Sequence, residues 1–510
     1  MITLINPPGT KSFSGLQMHT PNPPLGLAYI AGALKRAGLE YIVIDGTGED
    51  LDSVHPYPGR DDFLMQGLTF EEIISKIPTD SDIIGVGCNF STLWPLTKVL
   101  IEKVSSKFPK AKIILGGEHG TAVYQDVLKN SCVDIVVLGE AEETFLYLIR
   151  ALREMSSLKD IKGIAFLESD NLIATGLSER QRNVDDIALP DWHSFPIEEY
   201  ISRHQVNGVN LGRSMPLLAT RGCPYQCTFC SNPNMWTQRW IPRNPSLVVD
   251  EMVKYIEDYQ VTNFDFQDLT AIINRKWVVE FSNEIMDRGL EITWQMPSGT
   301  RAEIFDEEVA DLLYRSGCRV LAFAPESGSQ ETLDTIKKQV DLDKLKKAVR
   351  ISLKRGLKLS CFIVIGFPDD TRKGMRETMS LIRKFALLGV YDVAVTKFVP
   401  YPGSELFKRL QAEGRIELDD RFFESPMDFY TSNSPSFCAA SSTRRLYWTM
   451  IWMFTNFYVL SFISRPIRTI RILFNAILFS KEETRYAKWF VDRLFTRKQW
   501  RKLERSKVSG

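Results

Sequence analysis

Arg221-Gly222-Cys223-Pro224-Tyr225-Gln226-Cys227-Thr228-Phe229-Cys230 places three thiols in one short run, separated by three residues and then by two. Cysteines this close share a single loop. As thiolates they can hold three irons of a [4Fe–4S] cube and leave the fourth iron without a protein ligand. An iron with a free position accepts a chelating substrate, which a cluster held by four cysteines does not. The alternative is part of a zinc knuckle, but zinc sites complete a tetrahedron with a fourth Cys or His at similar spacing. No such residue lies nearby.

Working outward, apolar runs alternate with helical periods from Met215 to about Leu410. Strands are predicted at Leu217–Thr220, 263–266, 292–295, 320–323, 359–365 and 393–398, with helices at 247–256 and 277–286. Residues 215–410 therefore read as a partial (β/α)6 barrel. Barrel chemistry gathers at the carboxyl ends of the strands, and the cysteine loop comes directly after the first strand, at that same end. The other strand ends carry Gln267-Asp268, Ser298 with Arg301, Pro325-Glu326-Ser327-Gly328, Gly366-Phe367-Pro368 and Pro400-Tyr401-Pro402-Gly403.

Residues 1–150 also alternate strand and helix, which predicts a doubly wound parallel sheet of Rossmann-like type. Strands at 2–5, 41–44, 83–86, 112–115 and 135–138 end in small or polar residues. These ends are Asn6-Pro7-Pro8-Gly9, Gly87 to Thr92 with Ser91, Gly116-Gly117-Glu118-His119, and Gly139-Glu140. Ligands of open parallel sheets sit beyond such ends, and glycine lets backbone approach a large flat ligand. On these grounds alone the ligand is nucleotide-like or a tetrapyrrole. Residues 151–214 read as a connector with a β-hairpin at 163–175, and residues 411–510 as a helical basic and aromatic region.

The cysteine run resembles the signature loop of the radical SAM enzymes, in which an aromatic residue such as Phe229 precedes the last cysteine. Asn6-Pro7-Pro8, Pro24-Leu25-Gly26-Leu27, Gly116-Gly117-Glu118-His119 and Gly139-Glu140 with Glu142 resemble the cobalamin-binding domain found upstream of such barrels. The resemblance covers residues 1 to about 410 and implies three cofactors: a [4Fe–4S] cluster on Cys223, Cys227 and Cys230, S-adenosylmethionine (SAM), and cobalamin. It implies that Phe229, Gln267, Asp268, Ser298, Arg301, Glu326, Ser327, Ile365 and Gly366 line the SAM site. Pro8, Gly9, Ser91, Thr92, Gly116, Gly117, Glu118, Gly139 and Glu140 would contact cobalamin. Asp268 is equally readable as a helix cap, and Ile363–Ile365 as an ordinary buried strand. The histidine loop that ligates cobalt in many cobalamin domains is absent: the corresponding residues are Pro8 to Ser12, His19 lacks the flanking pattern, and His119 reads as a loop or pocket residue. The implied activity is C-methylation of an unactivated carbon through a 5′-deoxyadenosyl radical and methylcobalamin. Oxidative ring closure or rearrangement with the same cofactors is the alternative, and a structural cluster in a membrane-associated binding protein is an alternative of another class. No catalytic base stands out; Tyr401, Lys397 and Gln295 are candidates by position. A low-potential donor, flavodoxin or ferredoxin, is the implied partner, with a small-molecule or lipid-like substrate and no nucleic acid.

Eight irregularly spaced cysteines in 510 residues do not make a secreted disulfide framework. Cys88, Cys132, Cys318, Cys361 and Cys438 read mostly as small buried residues. The first residues lack the zones of a signal peptide, so a cytoplasmic compartment is expected. The zero net charge hides an asymmetry, since residues 444–510 hold 15 Lys/Arg against 4 Asp/Glu. Leu446 to Ser464 is uncharged and aromatic-rich, and 472–479 is again apolar. A helical cap over the barrel mouth, a basic amphipathic pair on anionic lipid and a true span are the readings, favoured in that order; peripheral membrane contact is thus an expectation for the tail.

Overall fold

The computed structural model describes residues 1–12, 20–205, 207–428, 430–479, 482–484, 487–488 and 491. His19 lies outside them. Five parallel strands, in the spatial order Tyr41–Asp45, Ile2–Asn6, Ile83–Gly87, Lys112–Gly116, Ile135–Val137, form the amino-terminal sheet. Helices such as Leu25–Arg36 and Trp94–Lys107 cover its faces. That is why the strands are near-continuous Ile, Leu and Val rather than alternating. Leu4, Ile5, Ile84 and Ile114 are all buried to 1% exposure or less. Strand order reverses between Ile2–Asn6 and Ile83–Gly87, so the ligand crevice opens beyond their carboxyl ends.

Two sequence assignments change here. The hairpin Ile164–Glu168/Asn171–Ala174 does not stand apart in the connector; it pairs antiparallel with Ile135–Val137 and extends this sheet. Gly9–Ser12 is a strand rather than a loop, paired with Arg60–Gln66, which pairs in turn with Val54–Tyr57. Its own four residues are too polar to announce a strand; the partner supplies the apolar Phe63, Leu64 and Met65.

The second sheet has six parallel strands in chain order: Ser214–Leu217, Asn263–Phe266, Thr293–Thr300, Cys318–Glu326, Lys358–Ile365 and Asp392–Lys397. Each outer helix starts on a side-chain cap: Asn244, Asn274, Asp306, Asp341 and Thr371 accept from backbone N–H groups of the first turn. The first strand ends at Leu217, earlier than predicted. The chain then turns outward, and Thr220–Arg221 pairs antiparallel with Ile241–Pro242. This two-stranded ribbon brackets the cysteine loop.

Residues 404–428, beyond the last strand, tie the two sheets together. Phe407, Phe423 and Met427 are buried in the core of the amino-terminal sheet. Tyr57 donates to Glu424 at 2.9 Å, and Arg60 pairs with Asp428 at 3.2 Å. The segment 430–441 then covers the carboxyl ends of the last two barrel strands: Ala439 N–H donates to Pro368 O at 3.1 Å and Phe437 packs edge-on to Phe398. The helix Thr443–Ser464 runs along Arg372–Leu388 and Asp392–Lys397. It meets the mouth at Leu446, which occupies the space beside Gly366, and meets the cap through Thr443, which accepts from Ser436 N–H, and Phe454, which packs on Tyr430. The cap over the barrel is therefore the 430–441 segment, and the apolar helix is a flank.

Candidate active site

Gly222 admits the chain into the cysteine loop at φ +85°, where a Cβ would lie 2.1 Å from Arg239 O. Thr228 ties the loop to both sides of the mouth: its N–H donates to Ile336 O at 3.0 Å, and its carbonyl accepts from Leu406 N–H at 2.9 Å. The Arg301 guanidinium lies 3.7 Å over the Tyr225 ring. Phe229 packs on Phe367, with centroids 5.5 Å apart, under the Lys338 ammonium. Burial raises all three thiols, Cys230 to about 12, while the positive charge of Lys338 pulls each down. Thiols so placed ionise when a metal takes the place of the proton, so this donor set suits cluster iron. Among the described residues no three His, Cys, Asp or Glu side chains, the loop cysteines included, are drawn together as closely as a single bound metal ion would hold them. Outside the loop, Cys88, Cys318, Cys361 and Cys438 are buried and Cys132 is exposed.

Several of the mouth residues singled out from sequence are engaged in holding the loop. Asp268 accepts from Ala219 N–H at 3.1 Å and from the backbone and hydroxyl of Thr220 at 2.5 and 2.6 Å. It braces the approach to the cysteines and caps no helix. Burial pushes its carboxyl up to about 6 against these donors. Gln267, half-buried, donates its N–H to Leu217 O at 2.9 Å. Glu326, at φ +68°, pairs with Lys338 at 2.8 Å, both side chains being 10% exposed or less. A non-glycine residue in that region at a strand end marks a site worth its strain. Burial opposes the Lys338 charge, yet Glu326 and the Cys227 thiol together raise it. Arg301 donates to Lys338 O and Gln339 O at 2.6 and 2.7 Å and pairs with Glu303. Lys338 has no motif to announce it; only the two left-handed residues beside it, Lys337 and Gln339, mark its loop as shaped.

Ser327 bonds Thr378 at 3.1 Å and accepts from Ser329 N–H at 3.1 Å, shaping the turn. Ser298 is exposed and accepts from the Asn207 amide at 3.0 Å, apart from the Arg301 cluster. Ile365 is buried, and Gly366, at φ +85°, donates its N–H to Asp370 at 2.8 Å. The positional base candidates separate. Gln295 is consumed by the Val209 backbone, accepting at 3.0 Å and donating at 2.8 Å. Lys397 donates to Thr431 O at 2.7 Å and Ser434 O at 3.2 Å, anchoring the cap; burial lowers it to about 8. Each has the partners that a buried amide or ammonium must find. Tyr401 alone is 44% exposed, while its desolvated hydroxyl is raised further by the charges of Cys230 and Glu326.

In the crevice of the amino-terminal sheet, Gly117 adopts φ +112°, and a Cβ there would lie 2.4 Å from Cys88 O. A Cβ on Gly116 would meet nothing within 4 Å, so open space lies above it. Ser91 and Thr92 are half-buried at the edge. Such a floor fits a broad planar group like the corrin. Pro8 is buried, and Gly9 is in its strand against Thr47. His119 corrects the pocket reading: it is fully buried between Trp94 and Phe423, with Nδ1 3.0 Å from Ser91 Oγ and Nε2 without a partner among the described residues. Gly139 and Glu140 turn away from the crevice. A Cβ on Gly139 would strike Ser178 Oγ at 2.7 Å. Glu140 pairs with Arg180 at 3.2 Å and Arg221 at 3.4 Å, and Arg221 also pairs with Glu142 at 2.5 Å and lies over the Tyr29 ring. The arginine two places before Cys223 is thus held by the amino-terminal domain, a role invisible to motif spacing. Glu118 lies between the two sites. Its carboxylate accepts from Asn234 at 3.5 Å, in the helix that begins two residues after Cys230, and burial pushes it up to about 8.

The family model of the Radical SAM superfamily matches residues 217–382, and that of the B12 binding domain matches residues 16–149. An uncharacterized methyltransferase of Pyrococcus horikoshii is 30% identical over 410 residues, 80% of this chain and 82% of that one. The cytidylyl-2-hydroxyethylphosphonate methyltransferase of Streptomyces wedmorensis is 27% identical, over 83% and 84% of the two chains. The anaerobic magnesium-protoporphyrin IX monomethyl ester cyclase of Cereibacter sphaeroides is 27% identical, over 77% of this chain and 61% of that one. In fold, the chain is similar to the radical SAM methyltransferase TsrM of Kitasatospora setae: TM-score 0.64 at 17% identity, covering 81% and 76%. It is similar also to the cobalamin-dependent enzyme OxsB: TM-score 0.64 at 13% identity, covering 99% and 80%.

Proposed function

This chain belongs to the radical SAM enzymes that carry an amino-terminal cobalamin-binding domain and use a [4Fe–4S] cluster, SAM and cobalamin; from that premise we propose that it is a C-methyltransferase acting on an unactivated carbon of a small or lipophilic molecule. The observation that carries the proposal is the direct contact between the two sites. Glu118, next to the open floor at Gly116, touches Asn234, four residues beyond the third cysteine. A carrier of methyl groups and a generator of radicals serve one substrate only if they open onto one space. The cluster supplies the electron that cleaves SAM, and cobalamin supplies the methyl carrier.

The chain's own residues have assigned work. Cys223, Cys227 and Cys230 hold iron; Phe229, Ile365 and Gly366 pack the apolar side of SAM. Gln267 and Glu326 stand on the polar side, with Ser327 and Asp268 keeping the turns that present them. Arg301 and Lys338 balance the negative charge of the thiolates. Gly116 and Gly117, with Ser91 and Thr92, floor the corrin site, and Tyr401 is the one candidate for touching substrate. A low-potential flavodoxin or ferredoxin supplies the electron.

The test is anaerobic turnover with SAM labelled in its methyl group. Methylation predicts one 5′-deoxyadenosine and one S-adenosylhomocysteine for each labelled product. The cyclase relatives favour one second reading, oxidative ring closure, for which deoxyadenosine forms and the product carries no label. Reduced, reconstituted protein that cleaves no SAM would overturn both.

A further inference from the structure

The helix Thr443–Ser464 presents two opposite apolar stripes. Leu446, Met450, Met453 and Phe457 point inward and are buried against the barrel flank. Trp448, Trp452, Val459 and Ile463 point outward and are 58%, 57%, 50% and 69% exposed. The outward stripe continues on Pro466–Phe479, where Ile467, Ile470, Phe474 and Ile477 are 84%, 55%, 52% and 58% exposed. Exposed apolar side chains repeated along two successive helices of a folded protein mark a contact.

The charges around it say what kind. Residues 444–479 include five arginines and no Asp or Glu. Arg465 donates to the carbonyls of Ala386, Leu387 and Leu388, and Arg468 to those of Gly389 and Val390, pinning the junction of the two helices to the barrel. Arg444 and Arg445 are exposed at the margin of the apolar surface, and Arg471, also exposed, pairs with Glu483 at 3.6 Å. A second copy of this chain suits the surface poorly: an isologous contact sets each patch against itself, and the segment has no carboxylate to meet the opposing arginines. An anionic bilayer meets both demands, taking the indole and aliphatic side chains at its interface and the guanidinium groups among its head groups.

We propose that this helix pair docks the protein on anionic membranes, lying in the plane of the interface. The first helix is long and apolar enough to cross a bilayer, but its inner stripe is seated on Arg372–Leu388 and Tyr458 donates to Asp392. Crossing would strip those partners away. The inference stands apart from the methyl-transfer reading and does not depend on it.

Flotation of the full-length, cluster-loaded protein with vesicles tests it. Vesicles containing about a third phosphatidylserine should bind at least about tenfold more protein than pure phosphatidylcholine, and the excess should fall as salt is raised from about 0.1 M to 0.5 M. Trp448→Ser with Trp452→Ser should cut binding about tenfold with cluster absorbance and melting temperature unchanged, because neither ring is buried. Arg444→Gln with Arg445→Gln should reduce the preference for anionic lipid. Equal binding to both vesicle types, or none to either, overturns the proposal. So does a tryptophan variant that converts a dimer to a monomer without touching lipid binding, which assigns the surface to a second copy. Protein that resists alkaline carbonate extraction overturns the in-plane geometry in favour of a span.

Discussion

The crevice of the amino-terminal sheet and the mouth of the barrel both sit at the carboxyl ends of parallel strands, yet they are built by opposite means. The crevice is made by leaving side chains out: Gly116 faces open space and Gly117 lets the backbone pass 2.4 Å from where a Cβ would strike. The mouth is made by putting charges in and pairing them. Glu326 and Lys338 form a buried pair, Arg301 stacks on Tyr225, and Asp268 gathers three donors. A site for a broad flat ligand needs room. A site that presents three thiolates to iron needs a rigid loop and compensating charge. Additions should therefore damage the crevice, and deletions should damage the mouth.

The largest effect belongs to the thiols. Replacing Cys223, Cys227 or Cys230 with Ala should abolish the cluster, read as loss of iron and of the broad absorbance near 400 nm, with deoxyadenosine formation falling to background. Cobalamin binding should persist, because the crevice shares none of these ligands. Loss of both cofactors together would mean that the two regions are a single cooperative unit.

Next is the buried pair. Lys338→Met leaves Glu326 charged and unpartnered, a situation that costs about 3–5 kcal/mol. The variant should melt markedly lower and hold less iron. Adding Glu326→Gln to it should recover part of the stability while leaving SAM cleavage impaired, since the charge at the mouth is then gone. Recovery of both would show that the pair serves only the fold.

At the crevice, Gly116→Leu should weaken cobalamin binding at least about tenfold with little change in melting temperature, since the new side chain enters space that the fold does not use. Gly117→Ala should instead lower stability by about 1–3 kcal/mol, through the left-handed backbone and the clash with Cys88 O. Isothermal titration of cobalamin into the two variants, beside their melting curves, separates the effects.

These contrasts explain what was legible in the sequence. Strand positions were readable because both sheets are covered on both faces and their apolar runs are unbroken. The three-thiol run and the pair Gly116-Gly117 stand out because spacing and backbone freedom are properties of the sequence itself, whereas Gly139 looks the same in sequence and turns away from the crevice. The roles of Asp268, Gln295 and Lys397 were not, since a polar residue at a strand end looks the same whether it faces a ligand or a backbone turn brought in from elsewhere. Lys338 and Arg221 were hidden for the same reason: their partners, Glu326 and Glu142, are set by the tertiary fold. The apolar tail showed its composition but not its two stripes, because inward and outward faces are alike in residue type.

The smallest effect is in the response to acid, and it has opposite sign in the two regions. His119, behind the crevice floor, is held neutral with its value lowered by burial to about 3, against 6.5 in the unfolded chain. Its contribution to stability is complete above 6.5 and is lost progressively as pH falls toward 3, because the unfolded chain binds the proton more readily. Between pH 6.5 and 5.5 this amounts to about 1 kcal/mol. Asp268, at the mouth, has its carboxyl raised to about 6. The folded state there binds the proton more tightly than the unfolded chain, so that contribution improves as pH falls through 6. His119→Phe keeps the packing between Trp94 and Phe423 and removes the first term. From pH 6.5 to 5.5 the variant's stability, read from melting curves, should then gain about 1 kcal/mol on the parent's. That difference in slope holds although Glu118, raised to about 8, and Asp268 strengthen both proteins over the same interval. A parent and variant with the same slope would place the acid response outside the crevice, and the burial of His119 would then be a matter of packing alone.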